Sequence, residues 1–110
     1  MSPDFRESDW KILRELKTVA LDRFCRRILD EVARLCGEPG KSDHQRYLAV
    51  YKHIHERDED IVAIFNEMSR SRAMLKLCAM RKHELLTDDE FARFSEETRD
   101  EVGRILARLR

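Results

Sequence analysis

A chain of 110 residues is the commonest size for one domain, and the surface it buries on folding supplies one core but not two. Charged residues make up 40% of it, well above the usual ~25%. The 22 basic and 22 acidic side chains cancel, which excludes a protein that grips nucleic acid by overall charge and leaves only a local basic patch for that purpose.

From about Ser8 to Cys36, Leu13, Leu16, Ala20, Phe24, Ile28, Val32 and Leu35 recur at steps of three and four, which is one face of a helix. Leu21, Cys25, Leu29 and Cys36 widen that face to one side, as suits a central helix touched by several neighbours. On the polar side the spacing pairs Asp22 with Arg26 and Asp30 with Arg34. Ser8-Asp9 offers a cap, and the β-branched Thr18-Val19 leave open whether the segment is one helix or two with a bend near Lys17-Thr18.

Gly37-Glu38-Pro39-Gly40 ends the helix, with glycine able to take the left-handed position after it and proline forbidding continuation. Ser42 opens the next one, and Gln45 three residues later completes a capping box. Tyr47, Val50, Tyr51 and Ile54 are its expected buried stripe. The run Arg57-Asp58-Glu59-Asp60 interrupts the apolar pattern and places three acids where a further helix, Ile61 to Met68, would start. Ser69-Arg70-Ser71 is the next expected break, followed by a buried face of Met74, Leu75, Leu77, Cys78 and Leu85.

Leu86-Thr87-Asp88-Asp89-Glu90-Phe91 carries the clearest local signal: Thr87 and Glu90 form a capping box, and Leu86 with Phe91 a hydrophobic staple. Phe94-Ser95-Glu96-Glu97 restarts a last helix that buries Val102, Ile105, Leu106 and Leu109. Arg104, Arg108 and Arg110 give its end the sign that the helix dipole prefers. No segment alternates with period two. The expectation is an all-α fold, a compact single-domain bundle of about five or six amphipathic helices spanning residues 1–110.

The start, Met1 to Glu7, has no apolar stretch of the signal-peptide kind, and the longest apolar runs, such as Ile61 to Phe65, fall far short of the ~20 residues of a membrane span. Three cysteines without framework spacing fit a reducing compartment. The expected setting is the cytoplasm, with no membrane contact.

Gly37-Glu38-Pro39-Gly40-Lys41-Ser42 resembles the tail of a phosphate-binding P-loop. The motif needs a glycine five positions before Gly40, where Leu35 stands, and a preceding strand, so the segment is read as a helix connector. His53 and His55 are two apart and point to opposite sides of a helix, and neither Glu-x-x-His nor His-Glu-x-x-His occurs. No metal site and no cofactor is expected. His44, Tyr47, Tyr51 and His55 do share one side of a helix and form a candidate ligand or proton-shuttling face. No nucleophile signature accompanies them, and a catalytic role is not the favoured reading.

The segment from Ile61 to Ala73 resembles the helix-turn-helix of bacterial regulators, within residues 58–86. Ala63 would be the small residue of the first helix and Ser69 to Leu77 the start of the recognition helix. Glu67 stands where such turns usually carry glycine, and Asn66 and Lys76 fall where apolar packing is usual. The resemblance implies a small DNA-binding regulator contacting nucleic acid through Arg70, Arg72, Lys76, Arg81 and Lys82, a run of bases with no acid between them. Charge-dense helices without catalytic motifs fit better a non-enzymatic protein–protein interaction or adaptor domain, with a protein partner or self-association expected. An apolar patch left exposed in the folded monomer would support it.

Overall fold

The computed structural model describes residues 5–109, and among these only helices and connecting turns occur. Helix α1 spans Glu7–Cys36, α2 Asp43–Phe65, α3 Ala73–Lys82, α4 Asp88–Phe91 and α5 Glu96–Arg108, with a single 3₁₀ turn, Arg70–Arg72, leading into α3. The all-α expectation holds, with five α-helices. Arg110, expected to complete the basic end of the last helix, lies outside the described residues.

Residues 7–36 form one unbroken helix of 30 residues. Thr18 and Val19 cost only tenths of a kcal/mol in helix propensity, and the stripe Leu13, Leu16, Ala20, Phe24, Ile28 is buried straight through them. The helix begins one residue before the expected Ser8-Asp9 cap, because Asp9 is turned inward and used elsewhere. Helix α2 likewise runs through the acidic stretch at 58–60. Those acids sit mid-helix and not at a new N-terminus: Asp60 pairs with Arg57 at 2.9 Å and Glu59 lies 3.6 Å from His55, while Asp58 has no ion-pair partner among the described residues. On α1 the observed pair is Arg26 with Asp30 at 3.3 Å, in place of the two pairs expected.

The core lies at one end of a molecule measuring 54 × 25 × 23 Å. There Leu13, Leu16, Ala20 and Phe24 of α1 meet Ile64 and Phe65 of α2, Ala73, Leu77 and Met80 of α3, Leu85, Leu86, Phe94, and Val102 of α5. Ala73 and Met80 take the inward positions of α3, whereas Leu75, expected inside, faces solvent. Cys78 is buried beside them; burial, with Glu101 nearby, pushes its thiol up to about 11, where it is inert.

Three long-range polar ties close this body. Asp9 is 1% exposed and its carboxylate accepts hydrogen bonds from Ser95 N–H (2.8 Å), Ser95 Oγ (2.7 Å) and Thr98 Oγ1 (2.7 Å), fixing the start of α5 against the first turn of α1. Burial alone would raise this carboxyl. The three hydrogen bonds, helped by the Arg6 charge, outweigh burial and hold it below its ordinary value. Next, α3 ends in a Schellman turn: Leu85 N–H donates to Met80 O (2.8 Å) and Glu84 N–H to Arg81 O (3.0 Å), with Glu84 left-handed at φ 57°. Arg27 of α1 donates to the carbonyls of His83 (2.5 Å) and Glu84, and Arg23 to that of Leu85 (2.5 Å), so two guanidiniums sit on the negative end of α3. Finally, Arg23 grips Glu90 at 2.8 and 3.2 Å, while Glu90 and Thr87 complete the expected capping box. The Arg23 hydrogen bond pulls Glu90 down to about 2 against a smaller opposing effect of burial.

Candidate functional site

Beyond the body, α1 and α2 continue as a two-helix arm. Between residues 29 and 60 no side chain is buried. The least exposed residues of α2 outside the body are Arg46, Ala49, Val50, His53, Arg57 and Asp60, and four of the six are polar or charged. His53 Nε2 lies 3.0 Å from Glu31 Oε1 across the seam, which sets the register. Arg46 turns back to the connector, donating to Glu38 O (3.0 Å) and Asp43 Oδ1 (3.1 Å), and Arg57 Nε is shielded from water without a partner.

One residue further along, a second stripe runs parallel to the first: Tyr47, Tyr51, Ile54, Asp58, Ile61 and Phe65, apolar at five of six positions. The body covers only its last members, with Phe65 buried and Ile61 half-buried. Tyr47, Tyr51 and Ile54 remain 64, 63 and 48% exposed, which corrects their expected burial, and Val50 is only half-buried. On α1, Leu29 and Cys36 likewise follow Ile28 and Leu35, and Leu29 is 64% exposed. Residue i+1 is rotated by about 100° from residue i on either helix. Because the two helices are antiparallel, that rotation carries both stripes to the same side of the arm. The result is one uncovered face, Leu29, Tyr47, Tyr51 and Ile54, with Cys36 at the tip and Leu48 (48% exposed) at its edge.

The His/Tyr residues singled out from the sequence fall on and beside this face. Tyr51 and His55 stack with ring centroids 6.3 Å apart and planes 4° from parallel, and His55 also meets Glu59. His44 is exposed at the tip end. The four line a convex helix surface. Two shallow hollows lie elsewhere, one lined by Ala63, Arg72, Leu75 and Lys76, the other by Arg81, Glu84, Leu86, Thr87 and Asp88.

Four of the five basic residues singled out hold the chain to itself. Arg70 Nε donates to Phe5 O (2.6 Å), Arg72 pairs with Glu67 (2.6 Å) and Lys76 Nζ donates to Ala63 O (2.6 Å) in the last turn of α2. Arg81 donates to Leu86 O (3.2 Å), meets Asp88 (3.3 Å), and lies 4.3 Å over the Phe91 ring. Lys82 is exposed, with no ion pair among the described residues. The turn between α2 and α3 does take the shape that a helix-turn-helix glycine would give it, since Glu67 is left-handed at φ 55°. Helix α3 buries Ala73, Leu77, Cys78 and Met80, leaving Leu75 as its most exposed apolar residue.

Among the described residues no group of three His, Cys, Asp or Glu side chains is placed to hold a metal ion, and no helix is long and apolar enough to cross a membrane. No family model, curated protein or solved structure matches the chain. Sequence reasoning singled out Tyr47 and Tyr51 as members of a candidate ligand face, and also put them in the buried stripe of α2. It missed Leu29 as a surface residue and took Asp9 for part of a helix cap and not for a buried acceptor; the signal for the first was its place one step past the main stripe of α1.

Proposed function

We propose that this protein is a non-enzymatic protein–protein interaction module of the cytoplasm that docks through the uncovered face of its α1–α2 arm. The observation that carries the reading is the inverted arrangement of α2, which turns charged residues toward α1 and its tyrosines and Ile54 toward water. Exposed apolar residues scattered singly are ordinary, but a contiguous aromatic and aliphatic row on a projecting arm is the composition of a binding surface. Tyrosine supplies large contact area at small cost in side-chain entropy, and its hydroxyl tolerates water while the face is free.

The test is photo-crosslinking in cells of the source organism from benzoylphenylalanine placed at Tyr51, with Glu56 on the polar side of the arm as control. A protein adduct formed from position 51 and absent from position 56 is the expected result. No adduct, or equal adducts from both positions, ends this reading.

A small DNA-binding regulator is the second reading, favoured by the left-handed turn at Glu67. It has to work with cations already engaged within the chain, Lys82 apart. It predicts salt-dependent binding to duplex DNA that weakens when Arg72 and Lys82 become Ala; no binding at low salt removes it. A ligand-binding or enzymatic role for His44, Tyr47, Tyr51 and His55 ranks third, since a small molecule is held in a concavity and these residues stand on a convex surface.

A further inference from the structure

Resting on the interaction reading, we infer that the occupant of the arm's uncovered face is a second copy of this chain, laid antiparallel so that each arm's tip meets the other's base and the two arms form a four-helix bundle.

Shape and area come first. With ~200 Å² as the full surface of a large apolar or aromatic side chain, the exposed fractions of Leu29, Tyr47, Tyr51 and Ile54 leave roughly 480 Å² per copy. Two copies bring together roughly 950 Å² before any flanking side chain is counted, close to the ~1,000 Å² that a specific interface should clear. The geometry is that of a bundle half: two antiparallel helices, each with a stripe at alternating three- and four-residue steps. On α1 this stripe is Asp22, Cys25, Leu29, Val32 and Cys36, with Cys25 and Val32 half-buried and the other three exposed; on α2 it is Tyr47, Tyr51, Ile54 and Asp58, all exposed. A two-fold axis through the middle of the face, near Leu29 and Tyr51, lays each stripe against its own equivalent, as an isologous contact requires.

Charge supplies the orientation. At the base the apolar face ends in Asp22 and Asp58, and at the tip it ends in Lys41 and His44. All four are exposed, and none has an ion-pair partner among the described residues; Arg26, one turn from Asp22 on α1, is already taken by Asp30. The antiparallel arrangement sets the Lys41 charge of one copy, with the His44 ring beside it, near the acids of the other, whereas a parallel arrangement would set acid on acid. With a net charge of zero there is no long-range repulsion for a second copy to overcome. Anionic lipid headgroups, by contrast, would meet the two aspartates at the rim.

The arm also lacks what it needs alone. With no buried side chain between residues 29 and 60, its helices draw little from tertiary packing, which is where most helix stability in proteins comes from. A second arm provides that packing.

The experiment is light scattering on the size-fractionated pure protein, from micromolar to near-millimolar concentration at low salt. The expected species is a dimer of about 26 kDa, twice the 13.2 kDa of the chain. Tyr51→Glu and Leu29→Glu, both at exposed positions, should give the monomer with unchanged helical circular dichroism. Lys41→Glu and Asp58→Lys should each weaken the dimer several-fold, and the two together should restore it. A wild-type monomer throughout overturns the second copy. In that case a foreign protein crosslinked to position 51 keeps the interaction reading alive, and binding to zwitterionic vesicles assigns the face to lipid. A dimer indifferent to Tyr51→Glu places the contact elsewhere and also overturns the inference, and charge variants whose effects add without rescue overturn the antiparallel arrangement.

Discussion

Replacing Glu84 with glycine should make this protein more stable, although it removes a side chain and introduces the most flexible residue. Glu84 holds φ 57° at the position after α3 where the Schellman turn demands a left-handed residue. An L-residue there costs about 1–2 kcal/mol relative to ordinary backbone, and glycine gives back about 0.5–1 kcal/mol of that through its freer unfolded chain. The glutamate side chain is exposed and has no hydrogen-bond or ion partner among the described residues, so nothing else is lost. The backbone bonds of the turn and the Arg27 contact to its carbonyl are available to glycine as well. The expected gain is about 0.5–1 kcal/mol, or a rise in Tm of about 2–6 °C for a domain of this size. Urea denaturation followed by circular dichroism reads it directly, with Glu84→Ala as control, expected within ~0.5 kcal/mol of wild type because alanine keeps the left-handed penalty. A Glu84→Gly protein no more stable than Glu84→Ala would refute the argument that backbone strain is stored at this turn.

Removing the Asp9 carboxylate strands three donors, so Asp9→Ala should cost about 3 kcal/mol, again by urea titration. Its folded-state pKa lies below the unfolded value, so its stabilisation is present above the ordinary aspartate range and is lost as pH falls through the folded value. Asp9→Asn, which cannot titrate, should therefore flatten the acid limb of a stability–pH curve. Glu90 behaves in the same sense: its contribution is complete above ~4.3 and fades as pH drops toward about 2. A double-mutant cycle of Arg23→Ala with Glu90→Ala should give a coupling of about 1–2 kcal/mol, since both side chains are partly shielded and the contact is two-pronged. In hydrogen exchange of dilute protein, amides of residues 45–56 should exchange much faster than those of 74–81, because no buried side chain secures the former; equal protection would mean that the arm is as firmly held as the body.

What the sequence disclosed was local. Both capping boxes, Ser42 with Gln45 and Thr87 with Glu90, form as read, because each needs only residues three apart. The connector at Gly37–Gly40 and the break at Ser69–Ser71 also fall where their residues put them. What depends on distant partners was not legible. Asp9 reads as a helix-start residue until Ser95 and Thr98, 86 and 89 positions away, arrive at its oxygens. Arg70, Lys76 and Arg81 read as a free basic patch because no acid interrupts the run from 70 to 82, but they answer mainly to backbone carbonyls, which no charge count reveals. The same blindness explains the arm: periodicity says that Tyr47, Tyr51 and Ile54 share a face, and cannot say that the neighbouring helix stands against the other one.

Because α1 is a single helix of 30 residues, about 45 Å long at 1.5 Å per residue, the arm and the body share one stiff strut. The far end of that strut carries Leu29 and Cys36; the near end carries Asp9 and the Leu13–Ile28 stripe around which everything else is packed. A tilt of about 5° displaces one end against the other by about 4 Å at this length. Whatever seizes the tip therefore holds a lever that reaches into the body, where Arg23 and Arg27 of the same helix hold the carbonyls of His83, Glu84 and Leu85 at the end of α3.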